Sequence, residues 1–141
     1  MTKRLFCAAA LCMAGMLAVS AQSVRFNNEG KLKIVQFTDI HWRAGDPATA
    51  DAAVNMNRVL DEEKPDLVVY TGDVTTAKPA TEGLDKALEP VISRGLPYAI
   101  TFGNHDDEQD LTRPQLYDYV KKKQGCLDAK AEGTDFAISV T

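Results

Sequence analysis

The chain has 141 residues, a formal net charge of −4, and 45% apolar and 26% charged residues. That balance excludes a disordered or fibrous chain and fits one globular domain. The one basic run, Lys121-Lys122-Lys123, is too short to suggest a nucleic-acid partner, and none is expected.

The first residues read apart from the rest. Lys3 and Arg4 precede an apolar run from Leu5 to Val19, and Val19 and Ala21 stand at the −3 and −1 positions of a cleavage site. Residues 1–21 are therefore expected to be a secretory signal peptide, with the product exported to the periplasm or the medium. The run is shorter than the roughly 20 apolar residues of a transmembrane helix, so no stable membrane span is expected. Phe6 before Cys7 and Leu11 before Cys12 are not the small residues that precede a lipidated cysteine. Cleavage would leave Cys126 as the single cysteine, with no internal disulfide, and a small buried residue is the simplest reading of it.

Asn27, Asn28 and Gly30 supply turn chemistry, and Leu32 to Thr38 reads as the first strand. It runs into Asp39-Ile40-His41. Asp46 followed by Pro47 is an N-cap and first-turn proline, which predicts a helix to about Lys64 with Ala50, Ala53, Val54, Asn57 and Leu60 on one side. Pro65-Asp66 stops it. Leu67 to Thr71 is the second strand and ends in Gly72-Asp73. Leu84, Ala87, Leu88, Val91 and Ile92 follow the spacing of an amphipathic helix, which Pro90 should kink or split. Tyr98 to Phe102 is the third strand and ends in Gly103-Asn104-His105-Asp106. An acidic loop follows, Asp107-Glu108-Gln109-Asp110, where Asp107, Glu108 and Asp110 could extend a site but read more simply as solvated. Thr112 and Gln115 form a capping box flanked by Leu111 and Leu116, opening a helix that turns Leu116, Tyr119 and Val120 inward. Alternation of Phe136, Ile138 and Val140 predicts a further strand over residues 134–141.

Three strands thus end alike, each in a polar residue able to bind a metal and each followed by a loop and a helix. Asp39 to Asp73 is 34 residues and Asp73 to Asn104 is 31, the length of successive βα units. Right-handed crossovers would make the strands parallel and bring Asp39, Asp73 and Asn104 to one sheet edge, where ligands bind in open α/β sheets. On a continuing strand, Asp39 and His41 would share a face. Carboxylate and imidazole together suit Mn, Fe or Zn better than Ca. Asp73 could bridge two ions, and Asn104 offers a neutral oxygen. Two divalent ions so placed can activate water for in-line phosphoryl displacement. His105 could then protonate the leaving oxygen, with Asp106 orienting its imidazole. Trp42 and Arg43 follow in a loop near the site, placed either to meet a substrate or to cover the core. Taken singly these motifs have plainer readings: a strand end for Gly72-Asp73, and an Asx-type turn with a surface histidine for Asn104-His105-Asp106.

Asp39-Ile40-His41, Gly72-Asp73 and Gly103-Asn104-His105-Asp106 resemble the calcineurin-like metallophosphoesterases, from about Lys33 to Val120. The stretches around Lys64–Asp73 and Pro97–Glu108 look most like the exported phosphohydrolases related to purple acid phosphatases. The resemblance implies an α/β fold, the N-terminal half of a four-layer αββα sandwich in βαβαβα order with mainly parallel strands. It implies Asp39 and His41 on a first metal, Asp73 bridging, Asn104 on a second metal, His105 as the acid or phosphate contact, and Asp106 supporting it. The substrate would be a phosphate mono- or diester, hydrolysed by a hydroxide that the two metals activate. Purple acid phosphatases lack the histidine of the first motif and carry Tyr three residues after the bridging Asp. Here His41 is present and Thr76 stands at that position, so Mn, Fe or Zn is expected without a tyrosinate colour.

The family closes its site with two later histidine segments, whereas this chain has two histidines in all, His41 and His105. Residues 22–141 are accordingly expected to be a partial domain whose C-terminal part is missing, poorly active or inactive alone. The alternatives are a non-catalytic truncated module with weak metal binding, and a secreted binding domain that takes up no metal.

Overall fold

The computed structural model describes residues 24–127. The signal peptide expected over residues 1–21 and the strand expected over residues 134–141 lie outside the described residues. Within them run β1 (Ile34–Phe37), α1 (Pro47–Glu63), β2 (Leu67–Thr71), α2 (Ala80–Ile92), β3 (Tyr98–Thr101), a 3-10 turn (Asp106–Glu108) and α3 (Arg113–Val120). The strands form one parallel sheet in the order β1-β2-β3, with Ile34 opposite Leu67 and Val68 opposite Tyr98. This α/β arrangement of three parallel strands and three helices is the one expected of the N-terminal part of the sandwich.

Sequential order with right-handed crossovers puts α1 and α2 on the same face of the sheet. That face is the core: Val68, Tyr70, Tyr98 and Ile100 of the strands pack with Met56 and Leu60 of α1, Leu84, Ala87, Leu88 and Val91 of α2, and Leu116 and Val120 of α3. Burying each of the larger aliphatic side chains contributes about 1.5–3 kcal/mol. Tyr70 fits because its hydroxyl donates to the Ala87 carbonyl at 2.9 Å. Ile34 on the other face is half exposed. Residues 125–127 continue beside β3, where Tyr98 N–H donates to Gly125 O and Leu127 N–H to Tyr98 O.

Local signals act where the sequence places them. Asp46 caps α1 by accepting from Ala48 N–H at 2.9 Å, and Gln115 reaches back to Thr112 N–H at 2.8 Å. Two expectations change and a third holds in part. The buried face of α1 is Thr49, Met56 and Leu60, while Ala50 and Val54 face outward. Tyr119 turns inward and packs against the core as expected, but it stays half-buried with its hydroxyl donating to the Asp85 carboxylate. Pro90 does not split α2, because it sits two residues from the end, where the N–H it lacks serves only the last turn. No described helix is long and apolar enough to cross a membrane.

Candidate metal centre

The sheet's carboxyl edge is built by loops that keep exchanging backbone hydrogen bonds after the strands end. Asp39 N–H donates to Gly72 O, His41 N–H to Asp73 O, Trp42 N–H to Val74 O, and Thr76 N–H to Trp42 O. The segments after β1 and β2 therefore run side by side across the edge.

Asp39 and His41 do not lie on a continuing strand, because β1 stops at Phe37. Each takes the left-handed region, with φ 53° and 49°, and Asp73 does the same at 52°. Left-handed backbone costs a non-glycine residue about 1–3 kcal/mol and concentrates at functional sites. Asp and His are among the residues that tolerate it best. The three bends aim three side chains at one point. His41 Nε2 lies 3.7 Å from Asp39 Oδ1 and 3.9 Å from Asp73 Oδ2. One donor atom from each residue falls within 4.8 Å of the others. Ligands sharing an ion at about 2.0–2.2 Å sit close to such spacings, and an O, N, O donor set fits a borderline divalent cation. Thr38 steadies Asp39 by donating its hydroxyl to Oδ2 at 2.7 Å.

Two glycines make the approach of the loops possible. Gly72 has φ 106°, and a Cβ there would lie 2.8 Å from Gly103 Cα. A Cβ on Gly103 would collide with the Asp73 carboxylate. The β2 and β3 loops thus touch backbone to backbone, with Asp73 filling the space beside Gly103. Asp73 Oδ1 accepts from His105 N–H at 3.0 Å while Oδ2 faces His41. One carboxylate, 14% exposed, looks to both neighbouring loops. The rings of His41 and His105 are 5.6 Å apart. Asn104 is exposed at the rim between Gly103 and His105.

Asp106 is not placed to orient His105. It is fully buried, and its oxygens accept from four backbone amides: Val74 at 2.8 Å and Thr75 at 3.0 Å on Oδ1, Asp73 at 2.9 Å and Gly103 at 2.8 Å on Oδ2. It ties the β2 loop to the β3 loop from beneath. Burial pushes its carboxyl above the usual range, and the four N–H donors pull the other way.

The partner of His105 is Glu108, with Oε2 2.8 Å from Nδ1. That hydrogen bond, then the charge behind it, raises the imidazole's pKa above its ordinary value. The acidic loop is therefore not simply solvated. Asp107 pairs with Arg113, which holds its carboxyl below the usual range, and Asp110 accepts from Ala80 N–H at 2.8 Å. Arg113 also donates to the carbonyls of Phe102 and Gly103, gripping the segment that carries Asn104 and His105. Thr38, Glu108 and Arg113 stand outside the three motifs. Only Glu108 carried a sequence signal, as one carboxylate in an acidic run. Trp42 is buried against Thr75 and covers the core, while Arg43 stays exposed with Nε donating to Thr76 Oγ1.

A family-wide sequence profile described as calcineurin-like phosphoesterase matches residues 32–136. A protein of Arabidopsis thaliana named probable inactive purple acid phosphatase 14 is 30% identical over 134 residues, 82% of this chain and 33% of that protein. The phosphatase DCR2 of Saccharomyces cerevisiae is 39% identical over 113 residues, 68% of this chain and 20% of that protein. An uncharacterized metallophosphoesterase of Bacillus subtilis, YkuE, is 35% identical over 77 residues, 52% of this chain and 26% of that protein. The chain thus spans a third or less of the length of these relatives.

Proposed function

This chain belongs to the calcineurin-like phosphoesterases, and from that premise we propose that the intact protein is an exported hydrolase of phosphate mono- or diesters that uses two divalent ions, Mn, Fe or Zn. The observation that carries this reading is the convergence of Asp39, His41 and Asp73 to within 4.8 Å through three left-handed bends. Asp39 and His41 would hold the first ion, Asp73 would be shared, and Asn104 would serve the second. The ions, when bound, would supply an activated water and stabilise charge on the phosphoryl oxygens. The chain's own part is to bind, to orient and to move a proton. His105 faces His41 across 5.6 Å and would give its proton to the leaving oxygen. Asp106 holds the two loops in register and does not touch the substrate. Export rests on the reading of residues 1–21.

Aryl phosphate hydrolysis by the intact protein, with and without added Mn or Zn, tests this. Activity should need the ion and fall to background in Asp73→Asn. Asparagine tolerates φ 52°, so that variant should stay folded. Metal-independent turnover, or turnover indifferent to the substitution, would overturn the proposal. A second reading is favoured by the words "probable inactive" in the names of three Arabidopsis thaliana relatives: a non-catalytic module that binds at most one ion weakly. It predicts at most one ion per chain by titration calorimetry and no hydrolysis.

A further inference from the structure

We propose that Arg43 and Thr76 form an anion subsite beside the metal centre, which takes a carboxylate carried by the substrate away from its scissile phosphoryl group. The substrate class is then a phosphate ester with a carboxylate on its organic part. That class rests on the phosphoesterase reading; the preference for an added carboxylate can be measured without turnover.

Trp42 fixes the place of Arg43. Its N–H donates to Val74 O at 2.9 Å, and its carbonyl accepts from Thr76 N–H at 3.0 Å. The backbone leading into Arg43 is thus clamped to the loop that follows Asp73. Trp42 is buried, with Gly83 of α2 close beneath it. Neighbours along extended backbone face opposite ways, so Arg43 stands on the outer side, where it is exposed. There its Nε donates to Thr76 Oγ1 at 3.2 Å, and that hydroxyl donates to His41 O at 3.3 Å. The guanidinium is two hydrogen bonds from the backbone of a residue of the metal centre.

The tether uses one edge of the guanidinium. The terminal nitrogens have no partner among the described residues. Asp46, the nearest acid along the chain, turns its carboxylate to Ala48 N–H instead. Arg113, the other arginine at the centre, is occupied by Asp107 and two carbonyls. A planar fork with its terminal donors open matches a carboxylate bidentately. One guanidinium carries one charge, which a carboxylate equals and a phosphate dianion exceeds. Because Thr76 already holds the side chain, less freedom is lost when the anion arrives. Ions at Asp39, His41 and Asp73 would meet the charge of the phosphoryl oxygens, and Arg43 meets charge beyond their reach.

Binding and turnover by the intact protein test this. Titration calorimetry on Mn-loaded protein, freed of excess ion, compares phosphonoalkanoates of two to four carbons with alkylphosphonates of the same length. Neither can be hydrolysed, and the range of lengths lets the carboxylate find the guanidinium. The wild type should bind the best phosphonoalkanoate roughly tenfold more tightly than its plain counterpart. Arg43→Ala should abolish that preference, and Arg43→Lys should keep part of it. Thr76→Val keeps the charge but releases the tether, so the preference should fall, and Thr76→Ser should restore it. Circular dichroism checks that each variant folds. In turnover, the preference for carboxyalkyl over alkyl phosphates should appear in KM and not in kcat. No preference in the wild type would overturn the subsite. Equal losses on both probes in Arg43→Ala would put the guanidinium on the phosphoryl group and overturn it too. Absence of hydrolysis with the binding preference intact would count against the phosphoesterase reading alone. Hydrolysis without the preference would count against the subsite alone.

Discussion

At Asp106 four backbone N–H groups from two loops meet one buried carboxylate. A buried donor left without an acceptor costs about 1–3 kcal/mol. Asp106→Asn puts an NH2 group against two of those donors, so it should lower unfolding stability by about 2–4 kcal/mol, read from the urea midpoint at constant m value. Glu108→Ala, at an exposed position, should leave that midpoint nearly unchanged. The contrast separates the carboxylate that builds the site from the one that aims a ring within it. The residue types of the site were legible in the sequence: Asp39, His41, Asp73 and His105 stand out as polar residues at strand ends. The partner of His105 was not. Adjacency pointed to Asp106, but consecutive residues entering a turn send their side chains in different directions, and i to i+3 pairing in a 3-10 turn selects Glu108.

α2 shows how an element serves the site without contributing a ligand. A Cβ on Gly83 would collide with Thr75 Oγ1, and Trp42 lies beyond at 3.6 Å. The helix therefore packs directly under the segment that follows Asp73. Gly→Ala in a helix normally gains up to about 1 kcal/mol from propensity. Here the sign should reverse: Gly83→Ala must displace Thr75, and overpacking of this kind costs about 1–3 kcal/mol. Thermal unfolding measures the balance, and a raised Tm would mean the Thr75 loop yields freely. The N-terminus of α2 has no side-chain cap of its own at Pro79; Asp110, from the loop after β3, bonds Ala80 N–H instead. The amphipathic spacing of α2 was plain in the sequence. The reason for the glycine is not local, since it lies in Thr75, a neighbour eight residues back in the chain.

On the scale of the whole molecule, the centre joins loops from β1 and β2, and Asp73 links them to β3. An ion held by Asp39, His41 and Asp73 would bind the folded state alone and stabilise it by linkage, about 2.7 kcal/mol at a hundredfold excess over Kd. Added Mn or Zn should raise Tm, EDTA should restore the starting value, and Asp73→Asn should abolish the shift. A Tm indifferent to all of these would mean that the three side chains converge without binding an ion. Arg94, on the far side, holds α1 to the end of α2 by bonding Asp61 and Asn57 at 2.7 Å each, so the helical layer is tied where the metal loops are not.

The sequence by itself determined the parallel βαβαβα order and the three strand ends, because hydrophobic periodicity and the spacing of βα units are local, repeating signals, and the motifs at those ends carried the resemblance to the family. Tertiary structure alone decided how the ligands meet. Asp39 and His41 converge through left-handed bends and not through strand alternation. Gly72 and Gly103 matter because two loops touch there, and Asp106 gathers amides from residues more than thirty positions away. Backbone bends, close approaches and buried hydrogen bonds depend on which loops lie side by side, and that is settled only when the sheet has formed.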